Sequence, residues 1–295
     1  MEMNEPTAVV FGGSGYLGSH VVQSLLDGGY QVRVAVRHPD AGATARLGPR
    51  VTGVVADIRD ESSVSRAIEG ADAVVNCVSL YVETKNVTFY AVHVEGAEGL
   101  ARCCARGGVP ALVHISGINS DPASRSAYVC ARGEGENRVR DVFPQAMVLR
   151  PSVMFGAQGG LMATLDSLTR LPVIPIFGRG NTRLQPAHVK DVARAVVAAL
   201  AEGGHSTVFE LGGAQVLRYR ELVQLALRRR QRKRPLLPVP FTFWYAGAAL
   251  LSFMKSPPLT RDQLVLMEAD NVAHQGMPGF DSLGLTPCGV DDENS

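Results

Sequence analysis

Ala8-Val9-Val10-Phe11 runs directly into Gly12-Gly13-Ser14-Gly15-Tyr16-Leu17-Gly18. An apolar run, a glycine-rich turn and a helical pattern from Tyr16 to Asp27 make the opening of a βα unit. The turn reads as G-x-x-G-x-x-G from Gly12 or as G-x-G-x-x-G from Gly13. In both readings the early glycines permit a tight turn, the middle one lets backbone approach an anion, and Gly18 permits close helix–strand packing. Free N–H groups at the helix start, with the helix dipole behind them, then attract phosphate. Gly12, Ser14, Gly15, Tyr16, Leu17 and Gly18 are therefore the candidate contacts for the pyrophosphate of a dinucleotide.

Outward from this loop the first half of the chain alternates. Short apolar strands fit Ala8–Phe11, Val32–Val36, Val51–Val55, Ala73–Cys77, Ala111–Ile115 and Met147–Leu149. Helical patterns fit Tyr16–Asp27, Ser62–Ile68, Val87–Arg106 and Ser124–Val142, and the Arg37–Pro49 connection has room for only a short helix. Apolar strands alternating with helices predict an α/β fold, a doubly wound parallel sheet of the Rossmann type covered on both faces. After Pro151 the rhythm changes and Gly and Pro become frequent. Helices fit Leu161–Arg170, Val189–Ala201 and Arg220–Arg230, with a strand at Val208–Leu211 and helical pieces near Phe241–Met254 and Arg261–Asp270. This predicts a nucleotide-binding domain over residues 1–150 and a smaller C-terminal substrate lobe over 151–295, partly interleaved with the first.

Composition narrows the function classes. Of 295 residues 46% are hydrophobic and 19% charged, which supports a large core and excludes global disorder. A formal net charge of +1 offers no footprint for nucleic acid. Five cysteines without a C-x-x-C suit a reducing, cytoplasmic compartment, and the neighbours Cys103 and Cys104 read as helix packing. Neither a signal peptide nor a membrane span is expected. Only Lys85, Lys190, Lys233 and Lys255 are lysine among 29 basic residues, a bias toward arginine that bears on one site residue below.

The second strand ends at Arg37, where an NAD-preferring site would carry Asp or Glu for the ribose hydroxyls. A guanidinium suits a 2′-phosphate, so NADP(H) is expected in preference to NAD(H). Asp57, followed by Ile58, stands after the third strand and is placed to meet the adenine edge.

Further pieces carry a family resemblance. They are Val32–Arg37, His114-Ile115-Ser116, Leu149–Gly156, Gln185–Ala193 and Pro257–Gln263, besides the glycine loop. With these the chain resembles, over roughly residues 7–290, the extended and atypical short-chain dehydrogenase/reductases of the NAD-dependent epimerase/dehydratase type. Within them it is most similar to the group around the nucleotide-binding alpha accessory subunit 9 of respiratory complex I and its bacterial relatives. The resemblance implies that Pro151 and Val153 pass the nicotinamide end of the cofactor. It also implies acid–base chemistry by a Tyr-x-x-x-Lys pair helped by a Ser. A phenol titrating near ~10 must exchange a proton near neutrality, and a cation one helical turn away eases this. Positions i and i+4 share a helix face.

Here the pair is Tyr128-Val129-Cys130-Ala131-Arg132, with Arg in place of Lys, and Ser116 stands 12 residues before the tyrosine. Arginine keeps the charge but cannot enter a proton relay by deprotonation. In an arginine-rich chain the exchange also fits drift where turnover is not required. The candidate catalytic set is Tyr128, Ser116 and Arg132, with Tyr128 and Arg132 also touching the cofactor ribose. No metal is expected: His188 lacks partners at ligand spacing, and Asp191 reads as a first-turn helix acid.

Arg228–Arg234 is the densest run of charge, and Phe241-Thr242-Phe243-Trp244-Tyr245 follows a proline-rich step. It reads as a solvated helix end before a packed helix, or as a peripheral dock on the inner face of a membrane. Two functions remain open. One is an NADPH-dependent oxidoreductase or epimerase on a small or lipid-like substrate. The other is a non-catalytic NADPH-binding accessory or assembly protein of a respiratory or other membrane complex.

Overall fold

The structure, a computed structural model, describes residues 5–38, 48, 50–157, 159–202, 207–251, 253–254 and 259–292. The short helix considered for the Arg37–Pro49 connection, and the Pro257-Pro258 step, lie outside the described residues.

Seven parallel strands form the central sheet in the order β11-β6-β5-β4-β1-β2-β3. They are β1 (Thr7–Phe11), β2 (Gln31–Val36), β3 (Val51–Val55), β4 (Ala73–Asn76), β5 (Ala111–Ile115), β6 (Met147–Pro151) and β11 (Val208–Leu211). Successive side chains of a strand point to opposite faces. Val10 accordingly enters one core with Val34, Val75, Leu25 and Val196, and its neighbour Val9 enters the other with Val74, Leu100, Cys104 and Phe143. Both faces are thus apolar, which is why the strands read as continuous hydrophobic runs. Full burial of each such side chain contributes about 1.5–3 kcal/mol.

Helices α1 (Tyr16–Asp27) and α6 (Val189–Ala201) cover the first face. The second is covered by α2 (Glu61–Ala67), α3 (Ala97–Gly107) and α4 (Ala127–Val142). Cys103 and Cys104 are buried there, as packing residues. A π-helical stretch, Tyr90–Gly96, leads into α3 as one wide first turn.

The second half of the chain both builds a smaller lobe and returns to the sheet. The lobe holds three two-stranded pieces: β7 (Met154–Gly156) with β10 (Ala187–His188), β8 (Ile174–Phe177) with β13 (Leu236–Val239), and β9 (Arg183–Leu184) with β12 (Leu217–Arg218). Helices α5 (Gly160–Leu168) and α7 (Tyr219–Arg229) pack around Phe155, Leu165, Ile174 and Leu222. Two tail helices, α8 (Phe241–Leu251) and α9 (Arg261–Glu268), complete it. The boundary near residue 151 is therefore crossed again, by α6 packing on α1, by β11 pairing with β6 and by Phe280 and Leu283 of the tail entering the first core.

α4 meets the π-helix with almost no gap. A Cβ on Gly135 would stand 1.9 Å from the backbone oxygen of His93. Forcing volume into such a contact shifts backbone. Gly135→Ala is expected to lower the unfolding free energy by about 3 kcal/mol in urea titrations; an unchanged midpoint would show that the helices do not touch there.

Candidate active site

The ends of β1, β4 and β5 open on one crevice, where α/β sheets take ligands. At its phosphate end Gly12 has φ +77°, and a Cβ on Gly18 would lie 2.1 Å from the Gly12 oxygen. Gly15 precedes α1 without a side-chain cap, and no acid stands in the first turn. The first-turn N–H groups and the dipole thus face the crevice with no carboxylate to cancel them, which fits a pyrophosphate. Ser14 and Gly15 are exposed, whereas Leu17 is buried in the core beneath. Tyr16 forms the wall toward the smaller lobe, its ring so close to Gly159 that a Cβ there would lie 2.8 Å from it.

At the adenosine end Arg37 is exposed and has no hydrogen bond or ion pair among the described residues. Asp57 differs from expectation. Arg59 holds both its carboxylate oxygens, Nε to Oδ1 at 3.0 Å and Nη2 to Oδ2 at 2.6 Å. That hydrogen-bonded pairing, with a further pull from Arg37, keeps the Asp57 carboxyl below its usual range. The acid expected to meet adenine is already engaged, and Arg59 is the additional charge at this edge. Ile58 is 6% exposed and lies under Gly96 of the π-helix, so its side chain belongs to the core.

The end of the crevice beside β4 and β5 is set by α4. Its N-cap Ser126 accepts from the Val129 N–H at 3.3 Å and donates to Asp262 of α9 at 2.7 Å. Two turns of the helix then carry the expected pair. Arg132 Nη1 donates to the Tyr128 phenol oxygen at 3.0 Å and to Ser79 Oγ at 3.2 Å, and Nη2 donates to the Ile115 carbonyl at 3.3 Å. Arg132 is 7% exposed, has no carboxylate partner among the described residues, and leaves its buried Nε without an acceptor. A buried cation held only by neutral oxygens suits a ligand that brings oxygens of its own. Tyr81, Phe89 and His93 surround the Tyr128 ring at centroid distances of 5.7, 5.5 and 5.6 Å.

Ser116 follows β5 as expected, and its hydroxyl is engaged by another partner. It is 3% exposed, donates to Glu136 and shares a 2.9 Å hydrogen bond with Ser120. Its proton is committed to a carboxylate, and no hydrogen bond joins it to Tyr128 among the described residues. The hydroxyl that meets the Tyr128–Arg132 pair is exposed Ser79, just past β4, which sequence analysis passed over. Its signal was topological: the residues after β4 border the same crevice as the glycine loop.

Pro151 is buried and its carbonyl accepts from Ile118 at 3.2 Å. Val153 spends its N–H on Asn271 Oδ1 at 2.8 Å, so only its half-buried side chain is open to a ligand. His188 packs edge-on against Phe155 at 5.1 Å, and no metal-holding group of side chains occurs among the described residues. Asp191 is buried, pairs with Arg194 and accepts the Cys288 N–H at 2.6 Å, so it anchors the tail.

The profile of the NAD dependent epimerase/dehydratase family matches residues 8–212. The chain belongs to that family. The Arabidopsis thaliana mitochondrial NADH dehydrogenase [ubiquinone] 1 alpha subcomplex subunit 9 is 30% identical over 95% of this chain and 74% of its own length. The ceramide reductase of Caulobacter vibrioides is 27% identical over 64% of this family member and 59% of its own length. Among solved structures, a UDP-glucose 4-epimerase from Thermotoga maritima superposes with a TM-score of 0.72, at 20% identity, over 97% of this chain and 95% of that one, a likeness of fold.

Two buried imidazoles stand behind the pair. Burial, with the Arg132 charge adding to it, pushes His93 down to about 4 and His114 down to about 3. Both are neutral at pH 7, and the Leu80 N–H donates to His93 Nε2 at 3.2 Å. The native state therefore binds fewer protons than the unfolded chain below ~6.5. Their contribution to stability is complete above that pH and is lost as pH falls toward 4. Between pH 7 and pH 5 urea unfolding should register a loss of roughly 2 kcal/mol per imidazole. In Arg132→Gln, the His93 ring followed by NMR should titrate nearer to 6.5; an unmoved titration would place the cation too far away to matter.

Proposed function

We propose that this family member is an NADPH-dependent oxidoreductase that uses Tyr128 as its acid–base group on an apolar, lipid-like carbonyl or alcohol. The observation that carries the reading is the hydrogen bond from buried Arg132 to the Tyr128 phenol oxygen within the dinucleotide crevice. With Arg132 donating to that oxygen, the phenol O–H is left to face a substrate. A bound nicotinamide supplies or takes the hydride. In the reducing direction Tyr128 gives its proton to the substrate oxygen, and Arg132 holds the phenolate that results. Ser79 accepts from Arg132 and, hydrogen-bonded also to the Tyr81 hydroxyl, borders the place of the substrate oxygen, the part first expected of Ser116. Ser116 instead steadies Glu136, one turn beyond Arg132.

Arg37, unpaired at the end of β2 where an acid would mark NAD, supports NADP(H) over NAD(H). Exposed Tyr81, stacked on Tyr128, supports a substrate with apolar surface, and a relative named ceramide reductase points the same way. A second reading, a non-catalytic NADPH-holding accessory protein of a membrane complex, is favoured by Arg in place of Lys at 132 and by the relatives named as complex I subunits.

Thermal-shift titration separates the cofactor part. NADPH at 100 times its dissociation constant should stabilise by about 2.7 kcal/mol, and Arg37→Ala should weaken NADPH far more than NADH. Equal binding of both by the wild type would overturn the phosphate assignment. Oxidation of NADPH by long-chain carbonyl compounds should fall at least 100-fold in Tyr128→Phe. Turnover unchanged in that variant would remove Tyr128 from the chemistry, and tight NADPH binding without turnover on any carbonyl would favour the accessory reading.

A further inference from the structure

α8 departs from the pattern of the other helices. Phe241–Leu251 contains no charged residue, yet only Ala248 is buried. A helix apolar all round is ordinarily enclosed by protein or lipid. Its inner side is accounted for: Phe241 and Trp244 pack on Phe177 at 6.2 and 4.6 Å, and Tyr245 donates to Glu268 of α9 at 3.0 Å. Its outer side is not. Phe243, Ala246 and Leu250 follow one another at i, i+3 and i+7, and Phe253 extends the line. Phe243 is 68%, Leu250 72% and Phe253 82% exposed. No helix among the described residues is long and apolar enough to cross a membrane.

The second observation is electrostatic. Where α7 ends, Arg228, Lys233 and Arg234 line a shallow hollow of about 450 Å³ with Gln224, Leu227 and Pro235. None of the three cations has a partner among the described residues, whereas Arg230 in the same run is paired with Asp166 and Arg232 donates to the Thr169 carbonyl. β13 connects the hollow to α8 and carries Leu237, 53% exposed. At ~3.3 Å per strand residue the two features lie within roughly 20 Å of each other along the chain.

We propose that this face docks on an anionic phospholipid bilayer. Phe243, Leu250 and Phe253 enter the boundary between headgroups and acyl chains, and Arg228, Lys233 and Arg234 receive lipid phosphates. Trp244 and Tyr245, half-buried and packed on protein, stand beside the stripe at the rim of the docked face. The argument for lipid is the pairing of an uncharged stripe with cations that lack a partner in the chain. The docked face is one connection from the site, since Asp262 of α9 accepts from Ser126 at the start of the Tyr128 helix. The proposal does not depend on turnover at Tyr128.

Flotation with vesicles of phosphatidylcholine alone, and of phosphatidylcholine with phosphatidylglycerol, tests it on the full chain. Trp244, the only tryptophan, reports insertion through its emission. Binding to the anionic vesicles at low salt, with a blue shift, is expected. The combined variant Arg228→Gln, Lys233→Gln, Arg234→Gln should weaken binding roughly 100-fold. Phe243→Ser, Leu250→Ser, Phe253→Ser should abolish the blue shift, with circular dichroism showing each variant folded. Arg138→Gln, an exposed change on α4, should bind as wild type. No flotation with anionic vesicles would overturn the proposal, as would flotation untouched by either triple variant. A concentration-dependent dimer that the serine variant dissolves would assign the stripe to a second copy instead.

Discussion

Glu136, Arg150 and Glu210 form a buried ionic cluster on which the site geometry rests. Arg150 of β6 grips Glu136 of α4 at 2.6 Å and reaches Glu210 of β11 at 3.4 Å. Glu210 also accepts the His274 N–H at 2.7 Å, and Ser116 at the end of β5 donates to Glu136. Removing one partner from such a cluster leaves a buried charge uncompensated, which costs about 3–5 kcal/mol. Three strands, one helix and the tail are thereby held in one arrangement. Tyr128, Arg132 and Glu136 follow at i, i+4 and i+8, so fixing Glu136 fixes the face on which the other two stand.

The same face presents the opposite electrostatic situation one turn earlier. Glu136 is fully paired, while Arg132 is buried against hydroxyl and carbonyl oxygens with its Nε unmet. A site that keeps a cation partly unsatisfied has less to lose and more to gain when a ligand brings oxygens. The cost is shared by its surroundings: the neighbouring imidazoles of His93 and His114 are kept neutral. The wide π-helical turn that carries His93 presses directly on α4 at Gly135, so the rings around Tyr128 and the helix that bears it are one packed unit.

Much of this was legible in the residues. The glycine loop, six sheet strands and the Tyr128–Arg132 spacing are local patterns, written within a few positions of one another, and the strands and crossover helices fell where the apolar runs put them. The lobe strands β7, β8, β9, β10, β12 and β13 were not anticipated, because two to four residues carry little periodicity to read. Asp57 was read as placed at the adenine edge; that Arg59, two positions on, folds back to pair with it was not read from the sequence. The hydroxyl that meets Arg132 is that of Ser79, while Ser116 is bonded to a carboxylate 20 positions away on another element.

The sequence by itself determined the parallel sheet, the phosphate loop and the helix bearing a phenol and a cation on one face. Backbone turn chemistry and side-chain periodicity act over a few residues, and those few residues were enough. Only the tertiary structure decided which hydroxyl meets Arg132 across 53 positions of chain, and that the tail, through Asn271, pins Val153 from 118 positions away. It also decided that the most apolar helix keeps its outer stripe uncovered. Burial and pairing are properties of what the folded chain brings alongside a residue, and no local pattern specifies that neighbour.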